Sequence, residues 1–286
     1  MNILNDSINL INKVAITNNS IESTKIKPSD IAFNVYISGI DTYGEINTVS
    51  RSDVNIVATI NLTKKQLLLT TIPRDSYVPI ALGGQNQKDK LTHAGNYGIE
   101  SSVKTVENLL NIKIPIYIKV NFSSFIKIID ILGGVEVNNP VAFDSFDKKH
   151  FPVGKIVLNG KEALSFTRER KSLSGGDVER GKNQQRVIEA VFNKMVQEKS
   201  LSNYQEIFNA ISDSVQTNLS ADSLIEIINK QTINGNWHME SLSLEGYGQT
   251  GGLPSFAMPG YELYMYVLSD YSIQNAHNKI LKVLEL

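Results

Sequence analysis

FNVYISGID, residues 33–41, is a short apolar run ending on Gly39 and Asp41. Its length and its polar stop read as a buried strand. DVNIVATINL at 53–62 and QLLLTTIP at 66–73 read as two more strands, joined by a polar turn from Thr63 to Lys65, and IPIYIKV at 114–120 as a fourth. Helical patterns fall between and after them. Ile99, Val103, Val106 and Leu110 share one face; Phe122, Phe125, Ile126 and Ile129 share another, which stops at Gly133–Gly134. A long helix starting near Asp177 carries Val187, Ile188, Val191, Phe192, Met195 and Val196 as a wide apolar stripe. DSLIEIINK after Ser220 and the terminal SIQNAHNKILKVLEL add two more helices, and HMESLSLE and ELYMYVLS read as late strands. Strands interleaved with helices on this scale predict a layered α/β or α+β domain.

Residues 1–22 place Leu4, Ile8, Ile11 and Ala15 at helical spacing, and the polar linker NNSIESTKIKPSD follows. The chain therefore divides into an N-terminal appendage, residues 1–30, and a main domain, residues 31–286. With 286 residues, 41% hydrophobic and 20% charged, it can bury a sizeable core. A formal net charge of −1 gives no global electrostatic case for nucleic acid. The sequence has no cysteine, hence no disulfide and no thiolate chemistry. No apolar run reaches the roughly 20 residues of a membrane span, and no signal peptide is visible. A membrane-bound form would need an anchor that this chain lacks.

The positive charges are unevenly chosen. There are 22 lysines from end to end but only six arginines: Arg51, Arg74, Arg168, Arg170, Arg180 and Arg186. A planar fork of donors suits bidentate grip on an anion such as phosphate. Arg168 and Arg170 flank Glu169, so in an extended segment they point to one side. Arg180 and Gln184 stand four apart in the first turns of a helix, where anions are favoured. Arg186 falls on a different helix face and reads as structural. Arg74 and Asp75 lie just past the third strand, and Pro73 stiffens the exit. Asp41 ends the first strand and Asp53 begins the second; if those strands pair, both carboxylates lie at one end of the sheet, as hard oxygen ligands for Mg²⁺ beside a phosphate.

Other motifs weigh less. Gly246, Gly248 and Gly251 form G-x-G-x-x-G, but Pro254 and Pro259 follow where a dinucleotide fold needs a helix N-terminus, so this reads as a flexible loop. His93, His150, His238 and His277 have no metal-ligand spacing; His93 sits among polar groups in KDKLTHAGN.

From about residue 32 to the end, YISGIDTYG, SRSDVNIV, LLTTIPRDSYVPI, QKDKLTHAGNYG, IDILGGVEV, LNGKEALSFTRER and GDVERGKNQQRVI stand in the order found in the LytR–CpsA–Psr family of cell-wall glycopolymer transferases. The chain resembles that family, in detail most its streptococcal capsule-attachment branch. The resemblance implies an α-β-α layered fold: a mixed central sheet flanked by helices, with an apolar tunnel for a polyprenyl chain. It implies Mg²⁺-linked carboxylates at Asp41 and Asp53. It implies pyrophosphate contacts at Arg51, Arg74, Arg168, Arg170, Arg180 and Gln184, with Lys90 at the pocket mouth; of these, Arg74, Arg168 and Arg170, with Asp53, would carry the chemistry. The expected reaction is Mg²⁺-dependent transfer of a glycopolymer, here a capsular polysaccharide, from undecaprenyl pyrophosphate to peptidoglycan. The expected place is the outer face of the cytoplasmic membrane of a Gram-positive bacterium, with residues 1–30 as a remnant of an accessory domain or linker behind a membrane anchor. Two other functions fit the same residues: a pyrophosphatase acting on the same lipid, and a non-catalytic lipid-binding regulator. Core or tunnel duty is open for Phe122, Phe125, Ile129, Val191, Phe192 and Met195.

Overall fold

The computed structural model describes residues 32–197, 215–219 and 236–285. The helix expected in 1–22, the linker after it and the helix expected after Ser220 lie outside these residues. Strands β1 (Ala32–Ile40), β2 (Ser52–Asn61), β3 (Gln66–Thr71), β4 (Tyr77–Pro79) and β5 (Lys88–Lys90) come first. Helix α1 (Ile99–Leu110), β6 (Ile116–Val120) and α2 (Phe122–Ile131) follow. Next are β7 (Val135–Asn139), β8 (Phe143–Asp144), β9 (His150–Phe151) and β10 (Gly154–Leu158). Helices α3 (Gly160–Arg168) and α4 (Asp177–Gln197) lead to β11 (Val215–Thr217), β12 (His238–Ser243), β13 (Gly246–Thr250), β14 (Tyr264–Leu268) and α5 (Asp270–Leu284).

Six strands form the central sheet in the order β11-β6-β1-β2-β3-β12. β1 pairs antiparallel with β2 and parallel with β6, and β3 pairs parallel with β12, so the sheet is mixed, as expected. Its two faces carry different cores because side chains alternate along each strand. Tyr36, Val57 and Leu68 pack with Val106 and Leu110 of α1 and with Ala276 and Ile280 of α5. Phe33, Val35, Ile56 and Leu69 face the other way, toward Ile188 and Phe192 of α4. A third cluster joins α2, α3 and α4 to β7 and β10 through Ile129, Val135, Leu158, Phe166 and Val187. The result is the α-β-α arrangement.

Local sequence sets the ends of the helices that matter for the site. Asn121 and Ser124 form a reciprocal capping box at the start of α2, and Asn159 and Glu162 do the same for α3. Gly133 and Gly134, both at positive φ, close α2 where the sequence pattern puts its stop. A Cβ at Gly160 would lie 2.4 Å from the Ile126 carbonyl oxygen, so only glycine lets α3 start this close to α2.

Two expectations need correction. The stretch from Gly246 to Thr250 is not a loop; it is strand β13, paired antiparallel with β14. The segment bearing Arg168 is not extended either: Arg168 is the last residue of α3, and the chain becomes extended only at Glu169.

Candidate active site

A cavity of about 430 Å³ lies between the sheet and helices α2, α3 and α4. Ile37, Gly39, Val54 and Val120 form its sheet side; Phe122, Phe125, Ile128, Ile129, Leu164, Ile188 and Val191 form its helical side. Asp41, Asp53, Arg74, Arg168, Arg170, Arg180 and Gln184 also line it. Of the apolar residues with open roles, Phe122, Phe125, Ile129 and Val191 line the cavity. Phe192 instead packs edge-on against Trp237, with ring centroids 4.8 Å apart, and Met195 packs on the helical core cluster.

The two aspartates reach the cavity by different routes. Asp41 follows the last residue of β1. Asp53 sits in a β-bulge: Gly39 pairs with Val54 and Ile40 with Ser52, which leaves Asp53 without a partner on β1. A bulge re-aims a side chain, and here Asp53 and its neighbour Val54 both line the cavity, which regular alternation would forbid. Polar groups on the opposite face hold the bulge. The Tyr36 hydroxyl donates to Asn55 Oδ1 at 2.5 Å, Ser52 Oγ donates to the same oxygen at 2.9 Å, and Ser38 Oγ lies 2.8 Å from Ser52 Oγ. Burial pushes the Tyr36 phenol up to about 12, so it remains a donor. The 41–51 loop is fixed by buried Lys119, whose Nζ donates to the Thr48 carbonyl at 3.0 Å, and by Asn121 Nδ2, which donates to the Gly44 carbonyl at 2.8 Å.

The arginines are arranged around acids. Arg74 Nη1 stands 3.2 Å from Asp53 Oδ2, and its Nε stands 3.6 Å from Asp75 Oδ2. Asp75 also accepts from Lys90 Nζ at 2.7 Å. Asp177 holds Arg180 at 2.9 Å and approaches Arg170 at 3.9 Å; Arg168 stands 3.9 Å from Asp41. Burial lowers the Arg180 pKa, and repulsion from Arg74 and Arg170 works in the same direction against the attraction of Asp177 and Asp53. Burial also acts to lower the Arg74 pKa, but Asp53, Asp75 and Asp177 more than offset it and the net shift is upward. Among the described residues, Arg74 Nε and Arg180 Nε are buried with no hydrogen-bond acceptor. A buried donor without a partner costs about 1–3 kcal/mol.

Arg168 is positioned by rings. Its guanidinium carbon lies 4.5 Å from the Phe122 ring centroid and 5.1 Å from that of Phe146. Glu169 fixes the turn between Arg168 and Arg170. Its carboxylate is buried and accepts from the backbone N–H groups of Phe146 (2.7 Å), Arg170 (2.9 Å) and Ser172 (2.9 Å). Burial acts to raise its pKa, but those hydrogen bonds prevail and hold it below the ordinary value.

Two expected contacts do not reach the wall. Arg51 is exposed and does not line the cavity. Lys90 stands one residue removed, paired with Asp75. Arg186 bonds to Asn183 and feels Glu179 and Glu189, consistent with a structural role. His93 is buried against Asp89 at 2.8 Å. Asp177, Glu169 and Phe146 are the site residues that sequence reasoning misses. Asp177 is visible only as a helix start, and nothing in the spacing marks the other two.

Among the described residues, no group of three or more acidic or histidine side chains could enclose a metal. Two carboxylates on a cavity wall that also carries four arginines still suit Mg²⁺, which usually keeps several waters and takes one or two carboxylates plus substrate oxygens. Asp41 and Asp53 therefore fit that ion in kind and number.

The LytR_cpsA_psr family model matches residues 4–279. A curated relative from Enterococcus faecalis, named polyisoprenyl-teichoic acid–peptidoglycan teichoic acid transferase TagU, is 41% identical over 223 residues, covering 77% of this chain and 72% of its own. Among solved structures, B. subtilis TagV superposes with a TM-score of 0.75 at 27% identity, over 90% of this chain and 98% of that one. TagT bound to LIIa-WTA superposes with a TM-score of 0.72 at 27% identity, over 94% and 98% of the two chains.

Proposed function

The chain belongs to the LytR–CpsA–Psr family, and from that membership we propose that it is a phosphotransferase carrying a glycopolymer from a polyprenyl pyrophosphate to peptidoglycan. The observation that carries this reading is the convergence of Arg74, Arg168, Arg170, Arg180 and Gln184 on the wall of a cavity that is otherwise largely apolar. The polyprenyl tail would lie along Phe122, Phe125, Ile128, Ile129, Ile188 and Val191. Burial contributes about 0.8 kcal/mol per CH₂, so a dozen buried carbons hold the lipid by several kcal/mol. The pyrophosphate would meet Arg74, Arg168, Arg170, Arg180 and Gln184.

In the reaction, a peptidoglycan hydroxyl attacks the phosphorus that bears the glycopolymer. A new P–O bond forms, the P–O bond to the second phosphate breaks, and polyprenyl phosphate leaves. Phosphoryl transfer depends mainly on positioning and on neutralising charge, which the arginine forks supply. The attacking hydroxyl loses its proton to a carboxylate; Asp41, Asp53 and Asp75 are the candidates. Asp41 and Asp53 would hold Mg²⁺, which when bound adds charge neutralisation on the phosphate oxygens. The names of the curated relatives favour a teichoic acid over the capsular polysaccharide that the sequence likeness suggests, and undecaprenyl is the carrier we assign. We place the reaction at the outer face of the cytoplasmic membrane, with a membrane anchor as in the family. No described helix is long and apolar enough to cross a membrane.

The test is incubation of the protein with lipid-linked glycopolymer, peptidoglycan and graded Mg²⁺. Covalent polymer on peptidoglycan, dependent on Mg²⁺ and weakened by Asp53→Ala, is the expected result. Head-group hydrolysis that ignores the acceptor would replace the transferase with a pyrophosphatase. Lipid binding without turnover would favour the regulator.

A further inference from the structure

The glycines that imitate a dinucleotide motif have a different use in the fold. In the β13–β14 hairpin, Gly248 pairs with Tyr266 and Thr250 with Tyr264, so the two tyrosines and the glycines share one face. The opposite face carries Met265, which is fully buried. Both tyrosines lean diagonally across the hairpin. A Cβ built on Gly248 would lie 2.2–2.6 Å from the outer atoms of the Tyr264 ring, so that ring rests on bare glycine backbone. The Tyr266 hydroxyl accepts from the Gly246 N–H at 2.9 Å. Glycine opposite an aromatic residue is a known way of seating a ring on a strand. Here it gives Tyr264 one supported side while the residue remains 47% exposed.

This face adjoins the acids of the site. Tyr266 donates its backbone N–H to the Asp75 carbonyl at 2.8 Å, and Ser76 forms a parallel bridge with Tyr266. Burial, and then the charges of Asp75, Tyr266 and Asp177, raise the Tyr264 phenol above its ordinary value, which agrees with that closeness. Asp75 holds Arg74 and Lys90, and Asp177 holds Arg180.

We propose that the Tyr264–Tyr266 face is the acceptor subsite, on which a sugar ring of the peptidoglycan strand stacks with its attacking hydroxyl directed past Asp75 toward the arginines. This rests on the transferase reading. A saccharide fits because its C–H face packs on a flat ring while its hydroxyls stay hydrated or bond to the phenol; tyrosine suits such half-wet contacts. The acceptor is favoured over the donor polymer by position. The face is bonded to the backbone of Asp75 and Ser76, so a hydroxyl arriving there would come close to the Asp75 carboxylate, one of the candidate bases.

The test compares wild-type protein with Tyr264→Ala, Tyr264→Trp and Gly248→Val, using a polyprenyl pyrophosphate-linked saccharide as donor and uncrosslinked peptidoglycan glycan oligomers as acceptor. Tyr264→Ala should raise the acceptor KM about tenfold, with the donor KM unchanged. Gly248→Val, which unseats the ring without removing it, should do the same, and Tyr264→Trp should stay near wild type. An unchanged acceptor KM in Gly248→Val and Tyr264→Ala overturns the proposal. A rise confined to the donor KM also overturns it and assigns the face to the donor polymer. The oligomers are titrated separately into each protein without donor, followed by NMR. If wild type hydrolyses lipid but transfers nothing, the transferase reading fails, and the titration still decides the subsite. Oligomer binding lost in Tyr264→Ala and Gly248→Val supports it; binding absent in wild type, or undiminished in the variants, removes it.

Discussion

Arg74 is held by Asp53 and Asp75 through opposite parts of its guanidinium, yet its Nε has no hydrogen-bond acceptor. Lysine at this position keeps the charge and loses the fork. Arg74→Lys should therefore lower the transfer rate by about 10²–10³, the usual effect of removing one transition-state donor. Single-turnover kinetics at saturating lipid checks this; a rate within a few-fold of wild type excludes Arg74 from the clamp. Phe146 acts more weakly, through Arg168. A cation–π contact at a half-exposed site contributes about 0.5–1 kcal/mol, so Phe146→Ala should weaken lipid pyrophosphate binding roughly two- to fivefold. The same substitution made in Arg168→Ala should then have little effect, and a double-mutant cycle measures that difference. The scarcity of arginine makes Arg74, Arg168, Arg170 and Arg180 legible in the amino-acid sequence alone. Asp53 is legible as a strand-end acid, but its direction is not, because a bulge depends on the pairing register and leaves no mark on one strand alone. Arg51 shows the converse: its neighbourhood in SRSD looks right, and the side chain lies outside the wall.

At the level of elements, one buried carboxylate ties the β5 strand to the loop before β14. Asp89 accepts from the Ser255 hydroxyl (2.8 Å) and from the N–H groups of Ala257 (2.6 Å) and Lys90 (2.7 Å), and pairs with His93 Nδ1 at 2.8 Å. Burial acts to raise its pKa, but the hydrogen bonds from His93, Ala257, Ser255 and Lys90 outweigh it and leave the value below the ordinary 3.8. A depressed carboxylate contributes stability that is fully present above its unfolded value and is lost as pH falls through the folded value. Asp89→Asn turns an acceptor into a donor facing donors, at a cost of about 1–3 kcal/mol near neutral pH. Melting curves should show that gap near pH 7 and show it narrowing in acid below the ordinary carboxylate range; a gap constant with pH would mean that Asp89 is not ionised in the folded state. Elements with strong periodicity, such as α1, α2 and β1 to β3, are read directly from the sequence. Helix α3 is not, because its nine residues are short and its capping box lies in an unremarkable NGKE. Strand β13 reads as a loop because two prolines follow its glycines; what lets glycines sit in a strand here, two tyrosines on the partner strand, lies about eighteen residues away.

Across the whole molecule, the cavity joins two cores that otherwise pack separately: the sheet face around Ile56 and Leu69, and the α2–α4 cluster around Ile129 and Val187. A ligand that fills it should strengthen both together. At a hundredfold excess over Kd, a polyprenyl pyrophosphate should add about 2.7 kcal/mol and raise the melting temperature by about 5 °C. Val191→Trp, which places a large ring on the α4 wall, should abolish the shift. A full shift in that variant would put the lipid somewhere else. The layered fold is legible from the alternation of strand and helix patterns. The cavity is not, because residues that line it and residues that fill the core have the same chemistry; Val191 and Phe192 are neighbours in sequence and fall on opposite sides of that distinction.

The cavity wall combines a long apolar stretch with arginines gathered around Asp41, Asp53 and Asp177. Such a wall has a direction: a lipid carrier of the proposed kind would enter it in one orientation, with its cargo left outside. A scaffold of this kind can be handed from one surface polymer to another during evolution with its interior untouched, the change of trade being written entirely on the outside of the molecule.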